Sequence, residues 1–265
     1  MDYNHFITNV FYFIPNPWLM GILINSILLV FALIIPKKLL TLAGLINAWL
    51  LGVIIWGTLG LNGYIVVMFY FLVGSGVTKI GFAEKEAAGI AEKRSGARGP
   101  ENVWGSALIA AICCLGTLIF NQEIMPYLTL GYVASFATKL SDTCASEIGK
   151  VYGKNTYLIT TLKPVPRGTE GAISLEGTLA GIIASVVISI LGYGVNLIDL
   201  MGIIYCIIAA FIATNLESVI GATLQTKIDW LSNEIVNIIN TILGAFAAIL
   251  LAMIWQTLLN GKPGL

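Results

Sequence analysis

Eight runs of mostly apolar residues, each about as long as a bilayer is thick, constrain this chain more than any other feature. They fall at about 18–35, 40–58, 63–81, 102–120, 126–148, 171–193, 200–223 and 234–258. A helix needs about 20 such residues to cross the hydrocarbon core. Only a helix or a closed barrel satisfies its own backbone there, so the runs predict an all-α, polytopic membrane helix bundle with about eight transmembrane helices. Composition agrees, because 57% of the 265 residues are hydrophobic and 11% are charged, against roughly 25% charged in a soluble domain. A ninth run, 6–14, is too short to span and is expected in the interface. The first apolar stretch follows neither a basic segment nor a small-residue cleavage site, so it reads as an anchor. No long polar segment divides the runs, and residues 1–265 read as a single membrane-embedded domain.

Net charge is zero and excludes nothing; the placement of the charges is informative. Twelve of the fourteen Lys and Arg follow runs one, three, five and seven: Lys37, Lys38, Lys79, Lys85, Lys93, Arg94, Arg98, Lys150, Lys154, Lys163, Arg167 and Lys227. The connections at 59–62, 121–125 and 194–199 carry none. Cationic loops stay in the cytoplasm, which predicts cytoplasmic loops at 82–101 and 149–170 and extracytoplasmic termini. The first of these loops is expected to start as a helix that stops at Gly99-Pro100. The second is expected to contain a short strand within TYLITTL. Cys113, Cys114, Cys144 and Cys206 lie in apolar runs without metal-ligand spacing and read as small buried hydrophobes.

Ionisable residues inside spans are expensive and usually face a protein interior or a wet cavity. Here Lys139, Asp142, Glu147, Glu176, Glu217 and Glu234 all fall near the predicted cytoplasmic ends of their runs. Asn102, Asn215, Asn233 and Asn237 do the same, and Asn240 and Thr241 continue that helix face. Carboxylates at a membrane edge can hold Mg²⁺ through oxygen, and Lys and Arg in the adjoining loops can hold phosphates. Gly96, Gly99, Gly149, Gly153, Gly168, Gly171 and Gly177 would let backbone N–H groups approach a phosphate. Lys139, three residues before Asp142, is an alternative partner for that carboxylate. There is no P-loop motif, and the single histidine, His5, excludes a Ser-His-Asp set. The stretch from Ser141 to Lys154 thus reads as half of a metal–phosphate site opening toward the cytoplasm.

Five motifs in order, RSGARGPENV (94–103), SDTCASEIG (141–149), KPVPRGTEGAISLEGTLAG (163–181), LESVIGATLQ (216–225) and SNEIVNIINT (232–241), resemble the integral-membrane family that includes plant and cyanobacterial phytyl-phosphate kinase. That family is more distantly similar to CTP-dependent phytol and dolichol kinases. The resemblance implies a kinase-like domain that converts phytyl phosphate and CTP, or another NTP, to phytyl diphosphate and CDP, feeding tocopherol and quinone prenylation. It implies Mg²⁺, a nucleotide and an isoprenoid lipid phosphate as partners, with no nucleic acid. It also implies a plasma or thylakoid membrane location if the chain is cyanobacterial. The catalytic expectation is Asp142, Glu147, Glu176, Glu217 and Lys163, with the four carboxylates as candidate Mg²⁺ ligands. The nucleotide- and phosphate-binding expectation is Arg94, Arg98, Asn102, Lys150, Lys154, Arg167, Gly168, Thr169, Glu170, Asn233, Glu234 and Asn237. A transporter or channel would use the same buried polar groups, and a cytidylyltransferase making a CDP-lipid the same phosphate chemistry.

Overall fold

A computed structural model describes residues 16–35, 39–92, 94–225 and 227–260. The expected interfacial run 6–14, His5, Lys37, Lys38, Lys93, Lys262 and both chain termini lie outside the described residues. The helices are α1 (Pro17–Ile34), α2 (Leu42–Lys79), α3 (Phe82–Ala87), α4 (Pro100–Gly116), α5 (Met125–Tyr152), α6 (Leu175–Gly194), α7 (Leu200–Ile220) and α8 (Asn233–Asn260). Strands β1 (Thr156–Leu158) and β2 (Ala172–Ser174) pair antiparallel. A π-helical turn, Gly221–Gln225, extends α7.

The helix starts follow from local chemistry. Side chains of Asn16, Thr41, Ser174 and Asp199 accept N–H bonds from Trp18, Gly44, Gly177 and Gly202, satisfying donors that a first turn leaves free. Pro100 opens α4 at a position where a missing N–H does no harm. The Gly99-Pro100 pair therefore starts a helix, whereas the helix before it has already ended at Ala87.

Helix α2 is two helices in one. Gly60 has φ 60° and ψ −149°, a combination open only to glycine, and the chain folds back there. Asn25 shows this: its side-chain oxygen accepts from Tyr64 Oη at 2.8 Å and would lie 2.0 Å from a Cβ on Gly52. Residues twelve apart in a straight helix are separated by about 18 Å, too far for one short side chain to touch both sites. The segments 42–59 and 61–79 thus run antiparallel, and both pack near Arg98, the first at Gly44 and the second at Gly74. The helical segments coincide with the eight predicted runs, with shifted edges. At run six, residues 172–174 form β2 and the Ser174 cap delays the helix to Leu175.

Helix α5 is the axis of the bundle, contacted by α2, α4, α6, α7 and α8. Residues 130–144 are all buried, as expected for a helix wrapped on every side. Small residues permit close approach: a Cβ on Gly177 would come 2.5 Å from the Ala145 carbonyl, and one on Gly181 2.9 Å from that of Ser141. At the periphery α1 packs against α2 and buries only Gly21 and Asn25. Most of its leucines and isoleucines, such as Leu19, Leu23 and Ile27, are exposed, like Phe246 and Leu250 of α8, a surface suited to lipid. Five helices, α1, α2, α6, α7 and α8, are long and apolar enough to cross a membrane. The chain is a multi-pass helical membrane protein. All four cysteines are free and buried.

Candidate active site at one end of the bundle

A cavity of about 440 Å³ is let into one end of the bundle, where α5 and α7 finish and α6 and α8 begin. Its volume falls within the 300–1,000 Å³ common for small-molecule sites. The wall takes Asp142, Glu147 and Lys150 from α5, Glu217 from α7, and Asn233, Glu234 and Asn237 from α8. The loop before α4 adds Arg94 and Arg98, the first turn of α4 adds Asn102, and the β1–β2 loop adds Gly168, Thr169 and Glu170. Four expected site residues lie off the wall. Lys154, Lys163 and Arg167 are exposed on the β1–β2 side, and Glu176 sits in the first turn of α6.

At the inner end is a group that the sequence reading treated only as a possible ion-pair partner. Lys139 Nζ donates to Asp142 Oδ2 at 2.5 Å and to Asn237 Oδ1 at 2.7 Å. An ammonium has three donors, so one remains for the cavity that Lys139 lines. Glu217 lies beside Asp142, with Glu170 within Coulombic reach. Tyr70 stands nearby on the second half of α2. Arg98 Nη1 donates to its hydroxyl at 3.1 Å, and the guanidinium sits 5.5 Å from the ring centroid. Backbone bonds fix Arg98 in place, from its N–H to Leu39 O and from Thr41 N–H to its own carbonyl, both 3.0 Å. Gly74 leaves room for the guanidinium, since a Cβ there would come 2.9 Å from Nη2.

At the mouth, Arg94 donates to Glu101 and to Asn102 Oδ1. Arg94 and Ser95 both have positive φ, 55° and 51°. Such strain persists only where surroundings impose it, and it gathers at ligand sites. Asn102 accepts a second bond from Gly99 N–H at 3.0 Å, which also caps α4.

Glu147 lies in a different environment. Lys85 and Lys150 both donate to its carboxylate, and Lys85 also donates to Thr78 O at 2.8 Å. The Lys85 and Glu147 side chains are 1% and 3% exposed. Lys85, expected in a basic loop, is instead a buried tie between α3 and α5. Of the four carboxylates expected as metal ligands, Asp142, Glu147 and Glu217 line the cavity and Glu176 does not. Glu147 is neutralised by two ammonium groups, Glu176 is off the cavity wall at the start of α6, and among the described residues no three His, Cys, Asp or Glu side chains gather to hold a metal ion. Asp142 and Glu217 alone remain side by side. That donor set does not form an all-protein cage, but it fits Mg²⁺ that arrives with phosphate oxygens and waters as its other ligands.

The glycines divide as well. The Gly177 N–H is taken by Ser174 Oγ, and Gly149, Gly153 and Gly177 serve close packing around Ser174 and α5. Lower in α8, Asn240 and Thr241 are fully buried, and Asn240 has no hydrogen-bond partner.

Fold and site define a class: a helical integral membrane protein with one charged cavity set into the end of an apolar bundle. The chain belongs to the family described as Integral membrane protein DUF92, whose model matches residues 25–245. It is 66% identical to an uncharacterized membrane protein of Synechocystis sp., over 88% of this chain and 90% of that one. It is 46% identical to Protein VTE6, chloroplastic, of Arabidopsis thaliana, over 80% of this chain and 65% of that longer protein. It is 34% identical to an uncharacterized membrane protein of Methanocaldococcus jannaschii, over 85% and 91%. No solved structure matches.

Proposed function

We propose that the protein is a kinase that transfers the terminal phosphoryl group of CTP, or of another NTP, to an isoprenoid lipid monophosphate. The substrate the motif resemblance points to is phytyl phosphate, giving phytyl diphosphate for the prenylation of tocopherol and related quinones. The observation that carries the reading is the juxtaposition of Lys139, Arg98, Arg94 and Lys150 with the Asp142–Glu217 pair in one cavity at the end of a membrane bundle. A lipid phosphate presents its head at that depth, and a soluble nucleotide reaches it from the aqueous side.

In the proposed reaction an oxygen of the lipid phosphate attacks the γ-phosphorus, and the bond to the β–γ bridging oxygen breaks, releasing the nucleoside diphosphate. The acceptor is already an anion, so no strong general base is needed, and the absence of a cavity histidine among the described residues is consistent with this. What the transfer asks of the protein is alignment and charge neutralisation. In this reading the free donor of Lys139 takes the acceptor phosphate, and Arg98, held by Tyr70 and by the start of α2, takes the nucleotide phosphates together with Arg94. Asp142 and Glu217 would hold Mg²⁺, which supplies charge neutralisation at the phosphates when bound.

The test is purified protein with Mg²⁺, CTP and phytyl phosphate, with mass analysis of both products. Phytyl diphosphate and CDP are expected. A CDP-lipid with pyrophosphate would make the protein a cytidylyltransferase, and nucleotide-independent uptake into proteoliposomes without turnover would make it a transporter.

A further inference from the structure

We propose that the hydrocarbon chain of the substrate enters the cavity sideways from the bilayer, through the seam between α6 and α7 at Ile182 and Phe211. This rests on the lipid-phosphate reading above and adds the route and the chain-binding residues.

The seam is closed at the end nearer the membrane edge. Gly171, with φ +74°, is pressed against the end of α7, and a Cβ there would come 2.5 Å from both Ser218 O and Ala222 Cβ. On the inner side, small groups hold the two helices against α5: Gly181 meets Ser141, and Thr214 Oγ1 donates to Ser141 Oγ at 3.4 Å. The cavity wall on these two helices is formed by Thr178 and Ile182 of α6 and by Phe211, Asn215 and Ser218 of α7, with Ile182 and Phe211 just beyond the Ser141 contacts. The polar groups of α7 turn back onto their own helix, Asn215 Nδ2 to Phe211 O at 2.7 Å and Ser218 Oγ to Thr214 O at 3.2 Å. They do not bridge the seam. Phe211 belongs to the cavity wall and is 46% exposed.

Polarity along this path matches one kind of molecule. Outside lie the exposed apolar residues Leu179, Ile208 and Ile212. The cavity wall itself carries the apolar Ile182 and Phe211, the hydroxyls of Thr178 and Thr214, and the charges of Lys139 and Asp142. Apolar surface thus passes into a charged pocket within a few helical turns. A single-chain lipid with an anionic head fits that gradient, and its chain can stay in hydrocarbon while its phosphate reacts.

Two measurements test this. In the first, Ile182→Trp fills the slot, with Ile183→Trp on the outward face as the control for folding and bulk. Ile182→Trp is expected to raise KM for phytyl phosphate at least tenfold while KM for CTP and turnover of a short, soluble isoprenoid phosphate stay within twofold. Ile183→Trp should match wild type. Equal effects of the two variants, or none from Ile182→Trp, would overturn the portal. The second needs no turnover: a diazirine-tagged prenyl monophosphate is photolysed with the protein in nanodiscs and its adducts are mapped. Adducts on α6 and α7 that phytyl phosphate competes away and phosphatidylcholine does not are expected. Competed adducts confined to other helices, or adducts that phosphatidylcholine removes equally well, would reject the portal. Competed labelling in a protein with no turnover would reject the kinase reading and leave the portal standing.

Discussion

Two ion pairs sit on helix α5, and they differ in how completely each charge is answered. Glu147 is held by Lys85 and Lys150, and Lys85 has a further acceptor in Thr78 O. Asp142 is held by Lys139, which spends a second donor on Asn237, keeps a third, and faces the cavity with Glu217 alongside. The first pair is 1% and 3% exposed, the second 9% and 11%. Both ammonium groups spend two donors, but Lys85 lies off the cavity wall, whereas Lys139 lines the cavity, where its third donor can meet a ligand. In a membrane protein, therefore, the depth of a charge says less about function than whether its spare hydrogen-bonding capacity faces a cavity.

That contrast can be broken in order of expected effect. Lys85→Met leaves Glu147 buried with only Lys150 to answer it, and losing one partner of a buried pair costs about 3–5 kcal/mol. A large fall in thermal midpoint in detergent is expected, partly restored by adding Glu147→Gln. An unchanged midpoint would show that the tie between α3 and α5 contributes nothing. Arg98→Ala removes the bond to Tyr70 and the proposed nucleotide contact. It should raise KM for CTP by an amount equivalent to about 1.5–3 kcal/mol for a lost charged hydrogen bond, and unchanged steady-state kinetics would take Arg98 out of the site. Arg167→Ala should change KM by no more than about twofold, as for an ordinary surface change, because Arg167 is exposed and donates to Val151 O at 2.8 Å. A tenfold rise would return Arg167 to the phosphate site.

The smallest perturbation tests orientation. Cysteines placed at Lys154, beside the cavity, and at Asn196, in the opposite connection, should label from opposite faces of sealed vesicles, with activity unchanged. The basic-residue asymmetry predicts that Lys154→Cys reacts from the cytoplasm. Reaction of Asn196→Cys from that side alone would invert the topology.

Much of this was legible in the chain. The apolar runs placed the helical segments, and the clustering of charges near one set of run ends anticipated a single polar cavity at one end. The central role of α5 was harder to see, because Lys139, Asp142, Glu147 and Lys150 make it less like a membrane helix than its neighbours, although it is the most enclosed. The roles of the two carboxylates could not be separated from sequence either. The partner that closes Glu147 lies 62 residues away on α3, and no local spacing signals it. Lys139 carried a signal that was underused, since it is the one base deep within a predicted span rather than at its end. Lys163 and Arg167 looked equivalent to the other basic groups, but both are exposed and off the cavity wall, although Gly168, Thr169 and Glu170 of the same loop line it.

The comparison of the two pairs is tested most directly by neutralising each as a unit and measuring turnover and thermal midpoint together. Lys139→Met with Asp142→Asn should keep a midpoint near wild type and lose turnover by about 100–1,000-fold, the loss seen when a preorganised charge-stabilising group is removed. Lys85→Met with Glu147→Gln should retain most of its turnover. If the Lys139/Asp142 double variant is stable and active, that pair only neutralises itself and the cavity's catalytic role fails with it.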